Sequence, residues 1–247
     1  LTSYGLEIAL VRKSTGAGVY LTSDLALAKE KFKKFSVTES INITGTEQDF
    51  YFKQLFKILE LNGFKNKMTH IGYGLVNLPE GKMSSRAGNV ILYEDLRDTV
   101  AERLTKEVEL RHQDWSKSRK EKVVRILTQA VLKFTMQQHE SNKTVIFDLN
   151  QALSFEGFSA PYILYVVARI NSLLKKAKIS IGKNIDFNYL QNIGEKKLIL
   201  LLSEFYMVVE KALKNYNPSV VTKYCFDVAQ SFNEFYNRYP ILNETDK

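Results

Sequence analysis

Residues 79–90 read PEGKMSSRAGNV, a stretch that combines two glycines with two cations and two adjacent hydroxyls. Gly81 and Gly88 give the backbone freedom, Lys82 is a compact positive charge, and Ser84 and Ser85 are hydrogen-bond donors. Such a loop is suited to wrapping a polyphosphate and to stabilising the charge on a departing pyrophosphate. On composition alone, the same segment is also typical of a solvated Gly/Ser loop between two strands.

Around this loop, the first 110 residues alternate between strand and helix patterns. The cluster Thr22-Ser23-Asp24 predicts the N-cap of a helix over residues 25–35. A second helix is predicted over residues 50–62, because its apolar residues recur at helical spacing and end at Gly63. The predicted strands are Tyr4–Val11, Ser40–Thr44, His70–Leu78 and Val90–Leu92. This alternation predicts a parallel sheet covered by helices.

From Leu96 onward the pattern is helical almost throughout, with helices predicted over residues 96–111, 117–138, 160–177, 195–215 and 218–236. Trp115 and the polar residues after it mark the boundary between the α/β portion and the helical portion. We therefore expect an α/β portion at residues 1–115, followed by an all-α helical bundle at residues 116–247.

The charge is unevenly distributed between these portions. Residues 1–115 hold 16 Lys and Arg against 15 Asp and Glu, whereas residues 116–247 hold 19 against 12. A basic excess in one half points to a polyanionic partner, although a solvated lysine-rich surface gives the same count. Cys225 is alone, which excludes an internal disulfide. With no long apolar run and no signal-like start at residues 1–10, we expect a cytoplasmic protein without a membrane partner; an organelle whose import signal lies outside this sequence is the alternative.

The segment Lys82-Met83-Ser84-Ser85 resembles the KMSKS signature of class I aminoacyl-tRNA synthetases, and its flanks resemble the arginyl branch. Four further blocks, in the family order, are similar to arginyl-tRNA synthetases. They are residues 19–26, residues 45–48 with 52–56, residues 153–157, and residues 160–162 with 168–170. The resemblance implies the second half of a Rossmann-like catalytic domain, followed by an anticodon-binding bundle.

The same resemblance implies ATP-dependent activation of L-arginine and its transfer to tRNA-Arg. ATP with Mg²⁺ would be a substrate; we expect no tightly bound cofactor and no metal site. Lys82, Ser84 and Ser85 are the expected catalytic residues. The expected ATP contacts are His70, Gly72, Gly74, Val76, Lys82 and Met83. For His70, a strand-end histidine with a satisfied hydrogen bond is the alternative.

Arginine recognition is expected to involve Tyr20, Asp24 and Gln48. A carboxylate matches the planar donor fork of a guanidinium, so Asp24 is assigned to that group, with Tyr20 and Gln48 as hydrogen-bonding walls. The alternatives are a helix N-cap for Asp24, a half-buried strand aromatic for Tyr20 and a plain loop position for Gln48.

The tRNA contacts are expected on two helices of the bundle. Tyr162, Tyr165 and Arg169 share one helix face, because they are three and four residues apart. With Lys175 and Tyr236 they would supply cations for phosphates and rings for unstacked bases. Aromatic residues at helical spacing also commonly form a core, and that alternative stays open.

Some parts of the family pattern are missing. His70-Ile71-Gly72-Tyr73 looks like the HIGH signature but is too close to Lys82 to be it, so the true HIGH segment and the amino-terminal half are expected partners outside this sequence. The chain alone is therefore expected to be inactive. Tyr51 stands where the family often has His. Two alternatives remain, a stand-alone tRNA-binding fragment and another class I synthetase such as the cysteinyl type.

Overall fold

The computed structural model describes residues 1–79, 92–178, 187–239 and 241–242. The chain divides into two compact units. The first comprises Leu1–Leu75 together with Ser141–Thr144, and the second comprises Val76–Glu140 and Val145–Lys247. The boundary expected near residue 115 stays a prediction.

The first unit is built on a strand–helix–strand arrangement. Its elements are a 3₁₀ turn (Thr2–Tyr4), helix α1 (Tyr20–Phe35), strand β1 (Glu39–Gly45), a 3₁₀ turn (Thr46–Gln48), helix α2 (Asp49–Leu61) and strand β2 (Lys67–Tyr73). β1 and β2 pair in parallel, from Glu39 opposite Lys67 to Gly45 opposite Tyr73. The predicted parallel pairing across a helix is therefore confirmed.

The core of the first unit forms where α1 and α2 meet. Its buried members are Leu21, Ala28, Phe52, Leu55 and Leu59. These residues recur at helical spacing on each helix, so each helix turns one apolar stripe toward the other. This packing fixes which residues of α1 face the first turns of α2.

The second unit is mostly helical. After a short parallel pair, β3 (Val76–Asn77) with β4 (Val145–Ile146), it consists of helices. These are α3 (Tyr93–Arg111), α4 (Lys117–Met136), α5 (Leu149–Ala152), α6 (Ala160–Ala177), α7 (Ile193–Ser203), α8 (Phe205–Lys214) and α9 (Ser219–Arg238), with a 3₁₀ turn at Phe187–Tyr189. α4 packs on α3 and α6, and α9 packs on α6, α7 and α8. Within the described ranges, none of the helices is long and apolar enough to cross a membrane.

Several local predictions were wrong. Residues 4–11 form no strand; that region has a 3₁₀ turn and a single bridge between Arg12 and Gly18. Ile8 is 88% exposed, so the apolar alternation there has no sheet to pack on. The strand predicted over residues 70–78 is divided into β2 and β3, and the helix over residues 195–215 into α7 and α8.

The start of α1 also differs from the prediction. The helix begins at Tyr20, and its N-cap is Val19, whose N–H donates to Thr22 Oγ1 at 3.3 Å. Asp24 therefore lies one turn inside the helix and is not an N-cap. Its carboxylate is not used by the first backbone N–H groups of α1.

Candidate functional site

Asp24 and Tyr51 join α1 to α2 through their side chains. The Tyr51 hydroxyl donates a hydrogen bond to Asp24 Oδ2. Burial raises the pKa of Tyr51 above its usual value, and the adjacent Asp24 carboxylate raises it further. The phenol is thus held as a neutral donor, and the described residues give the carboxylate no other hydrogen bond or ion pair. Asp24 is half-buried and keeps acceptor capacity at its second oxygen.

Tyr20 and Gln48 each lie about one helical turn before a member of this pair. Tyr20 opens α1, is 89% exposed, and lies four residues before Asp24 on the same helix face. Gln48 is exposed, is the N-cap of α2, and lies three residues before Tyr51. The strand position considered for Tyr20 is therefore wrong. The three residues expected around arginine lie on neighbouring helix starts in one unit.

His70 is enclosed by protein groups. Its Nε2 lies 2.8 Å from Thr44 Oγ1, and its Nδ1 lies 3.6 Å from Asp49 Oδ1. The ring stacks on Phe52, with centroids 4.2 Å apart, and the side chain is 10% exposed. Because both nitrogens have protein neighbours, the structure supports the satisfied strand histidine; a direct contact of His70 with ATP stays a prediction.

Gly72 and Gly74 lie at the carboxyl end of β2, where other parts of the first unit approach closely. A side chain at Gly72 would collide with the Asp49 carboxylate, and one at Gly74 with the Lys143 main chain. The Gly74 N–H donates to the Ser141 carbonyl at 2.7 Å. The contact with main chain requires glycine at position 74, whereas at position 72 the Asp49 side chain could move aside. Val76, the other expected ATP contact on this stretch, begins β3 in the second unit.

Lys82, Met83, Ser84 and Ser85 lie outside the described residues, so their expected roles stay predictions from the sequence. Elsewhere, in the ranges that the structure describes, no three His, Cys, Asp or Glu side chains gather as metal ligands would.

The second cluster lies between α6 and α9 and is centred on Arg169. Its guanidinium carbon is 4.7 Å from the ring centroids of both Tyr165 and Tyr236. Nη2 donates to the Tyr165 hydroxyl at 2.6 Å, and Nη1 donates to Asn233 Oδ1. Asn233 in turn donates to the Tyr162 hydroxyl at 3.3 Å. Four of the five residues expected to bind tRNA therefore meet in one network.

An open cleft of about 290 Å³ adjoins this network, lined by Tyr165, Arg169, Ser172, Lys176 and Tyr236 among others. Among the described side chains no carboxylate pairs with Arg169, and none lines the cleft, so its described lining has a net positive charge. Lys175 is exposed on the last turn of α6 and does not line the cleft, whereas Lys176 does. The Tyr162 ring packs 5.4 Å from Phe226, so the core interpretation is supported for that ring.

Sequence reasoning missed Asn233, and of the adjacent lysines at the end of α6 it selected Lys175 for the site, whereas Lys176 is the one that lines the cleft. Asn233 lies three residues before Tyr236, which places both on one face of α9 and was a usable signal. Tyr51 was noticed only as a departure from the family pattern. Its contact with Asp24, 27 residues earlier, has no signature in the sequence.

Comparison with known proteins agrees with this architecture. Residues 1–149 match the family described as tRNA synthetases class I (R), catalytic domain, and residues 163–247 match the DALR anticodon binding domain. Because the first match covers more than half of the chain, the chain belongs to the class I aminoacyl-tRNA synthetases.

The relatives narrow the class further. The chain is 34% identical to the arginine–tRNA ligase of Bdellovibrio bacteriovorus and 36% identical to that of Clostridium acetobutylicum, in each case over 249 residues. These alignments cover 100% of the chain but 43% and 44% of the relatives. The chain belongs to the arginyl-tRNA synthetase family, as its sequence blocks predicted, and spans less than half the length of these relatives.

Solved structures show the same fold. The arginyl-tRNA synthetase of Thermus thermophilus superposes with a TM-score of 0.81 at 24% identity, over 96% of this chain and 45% of that one. The Plasmodium falciparum arginyl-tRNA synthetase gives a TM-score of 0.78 at 21% identity, over 94% and 40%. The expected fold class, part of a class I catalytic domain followed by a helical bundle, is confirmed.

Proposed function

We propose that this chain provides the arginine pocket and the anticodon-binding bundle of an arginine–tRNA ligase. The enzyme would activate L-arginine with ATP and then esterify a ribose hydroxyl of tRNA-Arg. The observation that carries the proposal is the half-buried Asp24 carboxylate, held by Tyr51 beside the helix starts at Tyr20 and Gln48. This arrangement occurs in a chain whose relatives are arginine–tRNA ligases.

The recognition step follows from the chemistry of the pair. A guanidinium presents parallel N–H donors that match the two oxygens of a carboxylate. The Tyr51 hydroxyl uses one lone pair of Oδ2, which leaves Oδ1 and the other lone pair of Oδ2 for the two donors of the ligand. Tyr20 and Gln48 would then add hydrogen bonds on either side. Lysine would bind this site more weakly, because its ammonium is a single charge without a planar set of donors.

The activation step requires ATP, which Mg²⁺ would accompany as part of the substrate. The carboxylate of arginine attacks the α-phosphorus, pyrophosphate leaves, and the ribose hydroxyl of tRNA then displaces AMP. Lys82, Ser84 and Ser85 would stabilise the phosphate charge, with backbone near Gly72, Gly74 and Val76 and the residue Met83 close to the nucleotide. Positioning and charge stabilisation carry this chemistry, without a covalent enzyme intermediate.

The Arg169 cluster would bind the anticodon region of tRNA-Arg. A guanidinium with no carboxylate partner among the described residues suits a phosphate, and exposed tyrosine edges suit unstacked bases. Lys175 and Lys176 would add charge at the end of α6. Since tRNA and ATP are available in the cytoplasm, we propose that compartment for the enzyme.

A reconstitution assay tests the proposal. The chain is mixed with a separately produced segment that supplies the part of a relative's sequence it does not span, and amino-acid-dependent ATP–pyrophosphate exchange is measured. Arginine should support exchange, and cysteine should not. Exchange with cysteine alone would overturn the assignment of the amino acid.

A stand-alone tRNA-binding role is the second candidate, favoured by the Arg169 cluster, which is assembled entirely from α6 and α9 of the second unit. It predicts tRNA-Arg binding by the chain, with no exchange in the mixture.

A further inference from the structure

Tyr51 is the one group among the described residues that fixes the orientation of the Asp24 carboxylate. A carboxylate on a short side chain rotates about two bonds, and a bidentate pair with a guanidinium needs its plane in one orientation. The Tyr51 hydroxyl approaches Oδ2 from the other helix. The contact therefore controls the orientation of the Asp24 carboxylate, on which the recognition of arginine depends.

We propose that Tyr51 is a positioning residue for arginine recognition, which holds the Asp24 carboxylate so that Oδ1 faces the guanidinium. This inference rests on the proposed function, since it assigns Tyr51 a role in the same site.

Tyr51 is itself held by the core of the first unit. It lies in the first turn of α2, and its ring packs edge-on to Phe52, with centroids 5.5 Å apart. Phe52 is 8% exposed and stacks on His70. A tyrosine anchored in this way presents its hydroxyl at a fixed point, as a supporting residue of a binding site must.

A purely structural tie between α1 and α2 is the competing explanation. However, the two helices already share a buried apolar contact through Leu21, Ala28, Leu55 and Leu59, which holds them together without the hydroxyl. A structural tie would affect folding and every substrate alike. A positioning residue affects the substrate that Asp24 binds, and this difference can be measured.

The test uses Tyr51→Phe in the reconstituted mixture, with KM and kcat measured for arginine and for ATP. We expect the KM for arginine to rise about tenfold, with kcat and the KM for ATP within about twofold, because uniform binding is lost without loss of transition-state contacts. Tyr51→His keeps an N–H donor and should recover part of the affinity. Tyr4→Phe is the matched control, because Tyr4 is a half-exposed tyrosine of the same unit.

Comparison with Asp24→Ala separates the two proposals. If Asp24→Ala leaves the KM for arginine unchanged, the arginine pocket itself is wrong. If Asp24→Ala raises that KM and Tyr51→Phe does not, the pocket stands and the positioning role fails. Once Asp24 is alanine, adding Tyr51→Phe should change nothing further. Equal changes in the arginine and ATP constants, accompanied by a lower Tm, would also overturn the positioning role.

Discussion

The guanidinium carbon of Arg169 on α6 lies 4.7 Å from the ring centroid of Tyr236 on α9, and equally far from that of Tyr165. A cation so placed is attracted by both rings, and hydrogen bonds to Tyr165 and Asn233 orient it further. The guanidinium is therefore held in one orientation before any ligand binds. This reduces the conformational entropy that a ligand must overcome on binding.

Arg169→Lys should weaken the binding of tRNA-Arg about tenfold, roughly 1.4 kcal/mol, even though the charge is kept. An ammonium cannot stack between rings or donate in a planar fork. The measurement is a titration of labelled tRNA at fixed salt concentration. Arg119→Lys, the same change over the Trp115 ring, is the control and should leave the affinity unchanged.

Asn233→Leu and Lys176→Ala should weaken tRNA binding in different ways. Lys176→Ala removes a charge and should reduce the slope of log affinity against log salt by about 1. Asn233→Leu removes the link between Arg169 and Tyr162 without changing the charge, so the affinity falls while the slope stays. Identical slopes in both variants would contradict a phosphate contact by Lys176.

Lys82→Ala should slow arginine-dependent pyrophosphate exchange by about 10²-fold, the usual effect of removing one group that stabilises transition-state charge. Arginine binding should be nearly intact, because Lys82 is assigned to the phosphates. Stopped-flow measurement of adenylate formation by the reconstituted mixture provides the check. Unchanged kinetics would defeat this role for the loop.

The contribution of Tyr51 to the free energy of unfolding should decrease at alkaline pH. Its pKa is raised in the folded state, so the stabilisation is complete below the unfolded pKa of about 10 and is lost as pH rises through the higher folded value. The difference in unfolding free energy between the unmodified chain and Tyr51→Phe should thus be constant at neutral pH and shrink above about pH 10. Urea denaturation at several pH values measures it; a difference that grows would contradict the assigned bond.

The elements with strong local signals were predictable from the sequence. The β1–α2–β2 arrangement follows from β-branched and helical periodicities, and α6 begins at Ala160 as predicted, with Ser159 accepting from the Tyr162 N–H and Pro161 in the first turn. The strand predicted over residues 4–11 was wrong, because an alternating pattern predicts a strand whether or not a neighbouring strand is present to pair with it.

The pairs that build the site were harder to predict. Tyr51 meets Asp24 across 27 residues, and Asn233 meets Arg169 across 64. Periodicity gives the face of each helix but not which faces meet, since that depends on the packing of several helices at once. The residue types were therefore predictable, whereas their partners were not.

The short segment Ser141–Thr144 belongs to the first unit, although the chain on both sides of it belongs to the second. The segment packs so closely against Gly74 that a side chain at that position would collide with the main chain of Lys143. A single cleavage can consequently not release either unit whole: a cut after Leu75 or after residue 115 removes from the first unit the strip of backbone that covers the end of β2. Dissecting this protein into independently folding halves would require two cuts and a new connection, and the segment lost would be the one that contacts Gly74, a residue expected to lie near ATP.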